Sequence, residues 1–190
     1  MTCIVGYTNG KKVWIGGDSA GAAGLNISIR KDEKVFKNGD FLIGYTSSFR
    51  MGQIIRYNFI PPKRKKIDKN NKLDIFKYMC TDFIDELRKT FEQKGFLTKK
   101  DNEESGGTFL IGYKGRLFEI ESDFQVAENI ENYNACGCGK YYALGSLYTS
   151  LLNVSESIKP LKINEILKTS LQTAVKFNGG VRPPFIIKSI

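Results

Sequence analysis

MTCIVGYTNGKKVWIGGDSAG, residues 1–21, is the stretch that decides the fold. Its first part alternates between apolar and polar residues, which is typical of a half-buried strand. Asn9-Gly10 is a strong signal for a tight hairpin turn, and residues 12–17 supply the returning strand. The chain is therefore predicted to begin with an antiparallel hairpin that ends on two glycines and an aspartate.

The rest of the chain alternates between groups of strands and pairs of helices. Further strands are predicted over 27–30, 34–37, 41–45, 108–113, 116–121, 133–136 and 185–187. Helices with one apolar face are predicted over 48–59, 73–94, 141–152 and 163–177. The glycine- and alanine-rich segment 18–24 and the charged segment 99–105 are interpreted as connections.

The order of these elements predicts the architecture. Tight hairpins make the strands antiparallel, and two pairs of amphipathic helices can cover two outer sheet faces. The predicted fold class is therefore α+β, a four-layer αββα sandwich of two antiparallel sheets flanked by helices. A length of 190 residues with 41% hydrophobic residues suits one domain over residues 1–190.

Histidine does not occur among the 190 residues. This absence excludes Ser-His-Asp and Cys-His catalysis and the zinc peptidases that use histidine ligands. A hydrolase of this composition must use a carboxylate, a lysine or the chain's own amine as its base. The four cysteines, Cys3, Cys80, Cys136 and Cys138, lack the spacing of zinc ligands, so we expect free thiols, no metal and no cofactor.

The formal net charge of +9 is partly concentrated in the basic run 61–66 and in Lys69. Such a run allows a nucleic-acid-binding module as one hypothesis. No aromatic residue is interleaved with the run as a base-stacking platform requires. The favoured interpretation is a solvated loop, with nucleic acid not expected as a partner.

Apolar stretches fall short of the roughly 20 residues that cross a bilayer. The first stretch is broken by the polar turn at residues 8–12, unlike a secretory signal peptide. We therefore expect a cytoplasmic protein with no membrane partner.

Several segments are similar to the proteasome β-subunit family, which includes the bacterial heat-shock locus V peptidase, among the N-terminal nucleophile hydrolases. The matching segments are MT at the start, GGDSAGAAG over 16–24, KVF over 34–36 and LIGYTSS over 42–48. Their register holds without a gap through Ser48. Shorter matches follow in GCGKYYALG over 137–145 and FNGG over 177–180.

The resemblance implies a threonine peptidase whose nucleophile is Thr2, freed by removal of Met1. The α-amine of Thr2, with an ordinary pKa of ~7.7 to 8.0, can then act as the base without a histidine. By the same resemblance, Lys34 would lower the cost of forming the Thr2 alkoxide. Asp18 would hold the Lys34 ammonium in place.

The resemblance also implies the surroundings of the nucleophile. The backbone N–H of Ser48 is the candidate oxyanion-hole donor. Cys138 stands where the family usually has a serine beside the threonine. The substrate pocket implied by the resemblance consists of Gly21, Asp32, Phe36, Thr46 and Arg50.

Three further positions depart from the family pattern. Val175 stands in place of an aspartate and Asn178 in place of a serine, both of which normally support the nucleophile, and Ser48 replaces a glycine. These departures leave open a second hypothesis, a catalytically inactive structural or regulatory ring subunit of the same fold.

The partners implied by the resemblance are polypeptide substrates, further copies of the chain in a homo-oligomeric ring, and an ATP-dependent unfoldase. The chain itself contains no phosphate-binding GxxxxGK[ST] motif. An unfoldase would therefore be a separate protein.

Overall fold

The computed structural model describes residues 1–64, 74–152 and 159–190. In chain order, its strands are β1 (Cys3–Thr8), β2 (Val13–Gly17), β3 (Ala20–Ala23), β4 (Asn26–Ile29), β5 (Val35–Asn38), β6 (Phe41–Tyr45), β7 (Thr98–Lys100), β8 (Glu103–Ser105), β9 (Phe109–Tyr113), β10 (Arg116–Ile120), β11 (Val126–Ala127), β12 (Tyr133–Gly137) and β13 (Ile186–Ser189). Its helices are α1 (Phe49–Tyr57), α2 (Ile75–Tyr78), α3 (Ile84–Gln93), α4 (Lys140–Leu151) and α5 (Pro160–Phe177), and a π-helical turn (Met79–Phe83) joins α2 to α3.

Two antiparallel sheets form the centre of the molecule. Sheet 1 has the strand order β12-β1-β2-β13, and sheet 2 has the order β11-β10-β9-β6-β5. The predicted first hairpin is confirmed as β1–β2, in which Tyr7 lies opposite Trp14. At its turn, Gly10 has a φ of +79°, which a glycine adopts without strain. The Asn9 side chain accepts hydrogen bonds from the backbone N–H groups of Lys11 and Lys12.

Three apolar layers hold the sheets and helices together. The layer between the two sheets is built mainly from aliphatic side chains: Ile4, Val13, Ile15, Val35, Leu42, Leu110, Leu117 and Cys136. The layer between sheet 2 and α1–α3 is rich in aromatic rings, with Phe41 stacked on Tyr113 at 4.2 Å. The layer between sheet 1 and α4–α5 includes Val5 and Leu171. The predicted four-layer αββα sandwich is therefore confirmed.

Alternation along the strands explains how each one serves two layers. Successive side chains of a strand point to opposite sheet faces. In β1, for example, Ile4 packs between the sheets, whereas Cys3 and Val5 pack against α4 and α5. Cys3 therefore lies in the core, and its side chain is fully buried.

Two predicted connections contain short strands. The segment interpreted as a connection after Asp18 contains β3, which pairs with β4, the strand predicted over 27–30, and the charged segment 99–105 contributes to the β7–β8 ribbon. Strands β3, β7 and β8 were missed because small and charged residues give little strand propensity. In β7–β8 the exposed pairing Lys99↔Glu104 is supported by an ion pair between the two side chains.

The second predicted helix is interrupted by the π-helical turn. The Thr81 hydroxyl donates to the Lys77 carbonyl at 2.8 Å, a bond that competes with the regular helical ladder. The start predicted for this helix at Leu73 lies outside the described residues, as does the basic segment 65–69. In the parts of the chain that are described, no helix has the length and apolar character to cross a membrane.

The closeness of the two sheets gives a stability prediction. A Cβ on Gly44 in β6 would lie 2.6 Å from Ile15 and 2.7 Å from Ile4, so Gly44→Ala overpacks the layer between the sheets. We expect a loss of about 1–3 kcal/mol in the free energy of unfolding, measured by urea denaturation. The matched control is Gly145→Ala in α4, where a Cβ meets nothing within 4 Å. That change should stabilise by about 0.5–1 kcal/mol. Equal effects at the two sites would contradict this description of the sheet interface.

Candidate active site

The candidate site lies at one open end of the sandwich. Pairing of Cys3 with Gly137 and of Ile4 with Gly17 brings the start of β1 beside the ends of β2 and β12 in sheet 1. In sheet 2, pairing of Tyr45 with Phe109 brings the end of β6 beside the start of β9. Residues just beyond these strand ends therefore meet between the two sheets.

Thr2, Lys34 and Asp18 form a buried hydrogen-bonded group at this end. Lys34 Nζ donates to Thr2 Oγ1 at 2.8 Å and to Asp18 Oδ1 at 2.8 Å. The side chains of Lys34 and Asp18 are 1% and 0% exposed, and Thr2 is 5% exposed. The structure thus brings together the three residues that the resemblance implies for nucleophile, ammonium and carboxylate.

Backbone donors hold the Asp18 carboxylate in position. Asp18 Oδ1 accepts from the N–H of Cys3 at 3.1 Å, and Oδ2 accepts from the N–H groups of Ala20 at 3.0 Å and Arg182 at 3.3 Å. Together with Lys34, these N–H groups give both oxygens of the buried carboxylate a hydrogen-bond donor. Sequence analysis did not foresee Arg182, because its contribution is a backbone N–H from a distant loop.

Burial lowers the pKa of Lys34 below its ordinary value, and the attraction of Asp18 acts in the opposite direction. Removing an ammonium from water is costly, and this cost outweighs what one carboxylate returns. The Lys34 ammonium donates to Thr2 Oγ1, which is the geometry that stabilises a negative charge on that oxygen.

Cys138 and Asn178 form the other side of the Thr2 environment. The Thr2 backbone N–H donates to Cys138 Sγ at 3.2 Å. The Asn178 amide donates to the Cys138 carbonyl at 2.9 Å, and the Cys138 thiol lies 3.4 Å from Asn178 Oδ1. Val175, in contrast, packs on the layer between α5 and sheet 1 and lines a groove with Phe185.

Ser48 lies beside Thr2, but its backbone N–H is already bonded. It donates to the Thr46 carbonyl at 2.6 Å across a tight turn in which Ser47 has a φ of +57°. The Ser48 hydroxyl caps α1 by accepting from the N–H groups of Arg50 and Met51. Use of this N–H as an oxyanion donor therefore requires the Thr46–Ser48 turn to open.

The predicted pocket residues are scattered, and only Thr46 lines the cavities that touch Thr2. Gly21 faces Ser28 and Arg30 in the β3–β4 ribbon. Asp32 pairs with Arg30 at 2.7 Å, and Arg50 donates to the Lys94 carbonyl at 3.4 Å.

Phe36 is a core residue, which contradicts its predicted place in the substrate pocket. It is 3% exposed and packs against Tyr45 in the layer between sheet 2 and the helices. Strand alternation is the reason, because Val35 faces the other sheet and Phe36 therefore faces the helices.

Sequence analysis missed two carboxylates near Thr2. Glu119 and Glu121 line a cavity that also contacts Thr2 and Cys138. The sequence signal available for them is their spacing, since residues two apart on a strand share one face with Leu117. Within the described ranges, no three histidine, cysteine, aspartate or glutamate side chains are grouped so that they could hold a metal ion.

No protein-family model and no curated protein match this sequence. Comparison with solved structures finds the same fold in proteins of the proteasome-like BPH, HslV and Anbu type, which confirms at the level of the fold the resemblance stated above.

Three of these structures are similar over nearly the whole chain. BPH from Thiobacillus denitrificans, in complex with epoxomicin, has a TM-score of 0.77 at 18% identity, covering 100% of this chain and 98% of that chain. Anbu, an ancestral β-subunit from Yersinia bercovieri, has 0.68 at 16%, covering 100% and 82%. Eukaryotic HslV from Trypanosoma brucei has 0.64 at 14%, covering 99% and 98%.

The buried pair gives a prediction on stability. Asp18→Asn leaves the Lys34 ammonium without a counter-charge, so we expect a loss of about 3–5 kcal/mol in the free energy of unfolding. Asp32→Asn removes a partly exposed pair with Arg30 and should cost less than about 1 kcal/mol. Urea denaturation of both variants measures the contrast. Losses of similar size would show that the Asp18 pair is not effectively buried.

The same variant has a predicted pH dependence. Lys34 has a lowered pKa in the folded protein, so above that pKa the unfolded chain binds more protons and stability rises with pH. Loss of the Asp18 charge lowers the folded pKa further. The deficit of Asp18→Asn should therefore shrink as the pH rises from neutrality toward the ordinary lysine pKa, and a deficit that grows over this range would contradict the assignment.

Proposed function

We propose that this chain is a threonine-type endopeptidase subunit of a proteasome-like, self-compartmentalised ring. The observation that carries the proposal is the 2.8 Å hydrogen bond from Lys34 Nζ to Thr2 Oγ1, made while Lys34 is paired with Asp18. This arrangement activates a hydroxyl in a chain that has no histidine.

Cleavage of the bond between Met1 and Thr2 is the first step that the proposal needs. With Met1 attached, the Thr2 nitrogen is an amide and its hydroxyl donates to the Met1 carbonyl. Cleavage turns the nitrogen into an amine beside Cys138 Sγ and frees the hydroxyl. The amine can then take the hydroxyl proton, which an amide cannot do.

The reaction then follows two stages. Thr2 Oγ1 attacks a peptide carbonyl, its proton passes to the Thr2 amine, and the amine donates a proton to the leaving nitrogen. Water, deprotonated by the same amine, releases the acyl group and restores the hydroxyl. Lys34 stabilises negative charge on Oγ1, and the Ser48 N–H, once released from Thr46, is the proposed donor to the oxyanion.

Asn178 accounts for one departure from the family pattern. In place of a serine, it binds Cys138 through its amide and accepts the N–H of Gly180 at 2.9 Å. Asn178 therefore fixes the position of Cys138, the residue that contacts the Thr2 nitrogen. Val175 offers no hydrogen bond, so the amine depends on Cys138 and on its connection to Asn178.

An epoxyketone such as epoxomicin tests the nucleophile, because its double reaction needs a hydroxyl and a free amine on one residue. We expect Met1-free protein to gain the mass of one inhibitor molecule by intact mass spectrometry, and Thr2→Ala to gain none. The control Cys138→Ser should still form the adduct, which excludes the thiol as the reacting group. Met1-free protein without an adduct would favour the inactive ring subunit instead.

The pH profile of peptide hydrolysis tests the roles of amine and lysine. kcat/KM should rise as the Thr2 amine loses its proton, near its ordinary pKa of ~7.7 to 8.0. At higher pH, kcat/KM should fall again as Lys34 loses its proton. Because burial lowers the pKa of Lys34, this fall should begin at a pH below the ordinary lysine pKa of ~10.4. A rate that keeps rising beyond that value would contradict a charged Lys34 in the reaction.

The proposed assembly is a homo-oligomeric ring that takes polypeptides unfolded by a separate ATP-dependent partner, in the cytoplasm. Large aromatic side chains on one side of the molecule support burial against another copy: Tyr141, Tyr148 and Phe177 are exposed. Sedimentation velocity of the purified chain should give a closed oligomer, and a monomer at micromolar concentration would contradict this part of the proposal.

A further inference from the structure

A second cavity opens from Thr2 on the side of Cys138. Its volume is about 380 Å³, which is in the range of pockets that hold small ligands. Thr2 and Cys138 form one wall, and Glu119, Glu121 and Lys140 belong to the same lining. The mechanism above uses none of these three charged residues.

Strand β10 places Glu119 in an unusual position. Phe118 and Ile120 face the helices, whereas Leu117 lies in the layer between the sheets. By alternation, Glu119 points to the same face as Leu117, toward sheet 1. There, the Asn134 amide of β12 donates to Glu119 Oε2 at 2.8 Å.

Glu119 is buried and forms no ion pair within the described residues. It is 9% exposed, and among the residues that the structure describes no lysine or arginine forms an ion pair with Glu119 or Glu121. Lys140 lines the same cavity, but its ammonium lies over the Tyr141 ring, 5.2 Å from the ring centre.

This environment favours a positive ligand. Burial raises the pKa of Glu119, and the nearby Glu121 carboxylate acts in the same direction. The hydrogen bond from Asn134 and the charge of Lys140 act in the opposite direction but do not cancel the effect of burial. A carboxylate that is costly to keep charged is stabilised most by a cation brought into its cavity. Glu121, which is only partly buried, adds a second carboxylate to the lining of the same cavity.

We propose that Glu119 and Glu121 are specificity-determining residues that receive a lysine or arginine side chain of the polypeptide cleaved at Thr2. This inference rests on the proposed function, since the cavity is shared with the proposed nucleophile. The basic side chain enters the cavity beside Cys138. Because this cavity adjoins Thr2, the basic residue must lie a fixed number of residues from the scissile bond.

Substitution of arginine by citrulline tests the inference, because citrulline keeps the shape of arginine and removes its charge. Peptides carrying arginine or citrulline at each position around the cleaved bond are compared by kcat/KM. We expect one position at which arginine is favoured about tenfold, the effect of one charge-assisted hydrogen bond. Glu119→Gln and Glu121→Gln, alone and together, should bring that ratio toward one.

The matched control is Glu165→Gln on α5, an exposed glutamate outside the cavity lining, which should leave the arginine-to-citrulline ratio unchanged. Glu121→Gln alone decides the test where Glu119→Gln does not fold. Cleavage without any preference for arginine, or a preference that survives both substitutions, overturns the inference and leaves the proposed function standing.

A binding experiment distinguishes failure of this inference from failure of the proposed function. If no peptide is cleaved, the same arginine and citrulline peptides are bound to the Thr2→Ala protein and measured by calorimetry. Tighter binding of the arginine peptide, lost in Thr2→Ala/Glu119→Gln, supports the cation site without any peptidase activity. Equal binding of the two peptides overturns it.

Discussion

A buried ammonium–carboxylate pair links the two sheets at the end of the sandwich where the site lies. Asp18 follows β2 of sheet 1, Lys34 precedes β5 of sheet 2, and their 2.8 Å contact crosses the layer between them. Two charges in such a place cost several kcal/mol each in lost hydration, and they are tolerated only when nearly every polar atom has a partner. The local structure is arranged around that requirement.

The requirement explains why Thr2 is drawn into the group. The backbone N–H groups of Cys3, Ala20 and Arg182 donate to the Asp18 carboxylate. The Lys34 ammonium directs a further proton toward Thr2 Oγ1. Across the described parts of the chain, no buried side-chain nitrogen or oxygen lacks a hydrogen-bond partner. Electrostatic satisfaction of the pair and alignment of the hydroxyl are thus one arrangement, so a change in either residue affects both stability and chemistry.

The residues around Thr2, Asp18 and Lys34 form the walls of cavities and not a buried ion pair. At 14–18% identity to the solved structures, the chain keeps the fold through its pattern of apolar layers and tight turns. Cys138, Asn178 and Glu119 belong to the walls around Thr2, where side chains set the shape and charge of the cavities.

Sequence by itself determined the first hairpin, the two helix pairs, the four layers and the grouping of Thr2, Asp18 and Lys34. Periodicity and turn residues are local properties, and the resemblance supplied the register of the three site residues. The tertiary structure alone decided that Phe36 is buried under the helices, that the Ser48 N–H is bonded to Thr46, and that Glu119 lines a cavity with Thr2. These facts depend on which face of a strand meets which layer, and on contacts between residues far apart in the chain. Alternation along a strand separates its residues into two faces, but only tertiary packing decides which layer each face meets.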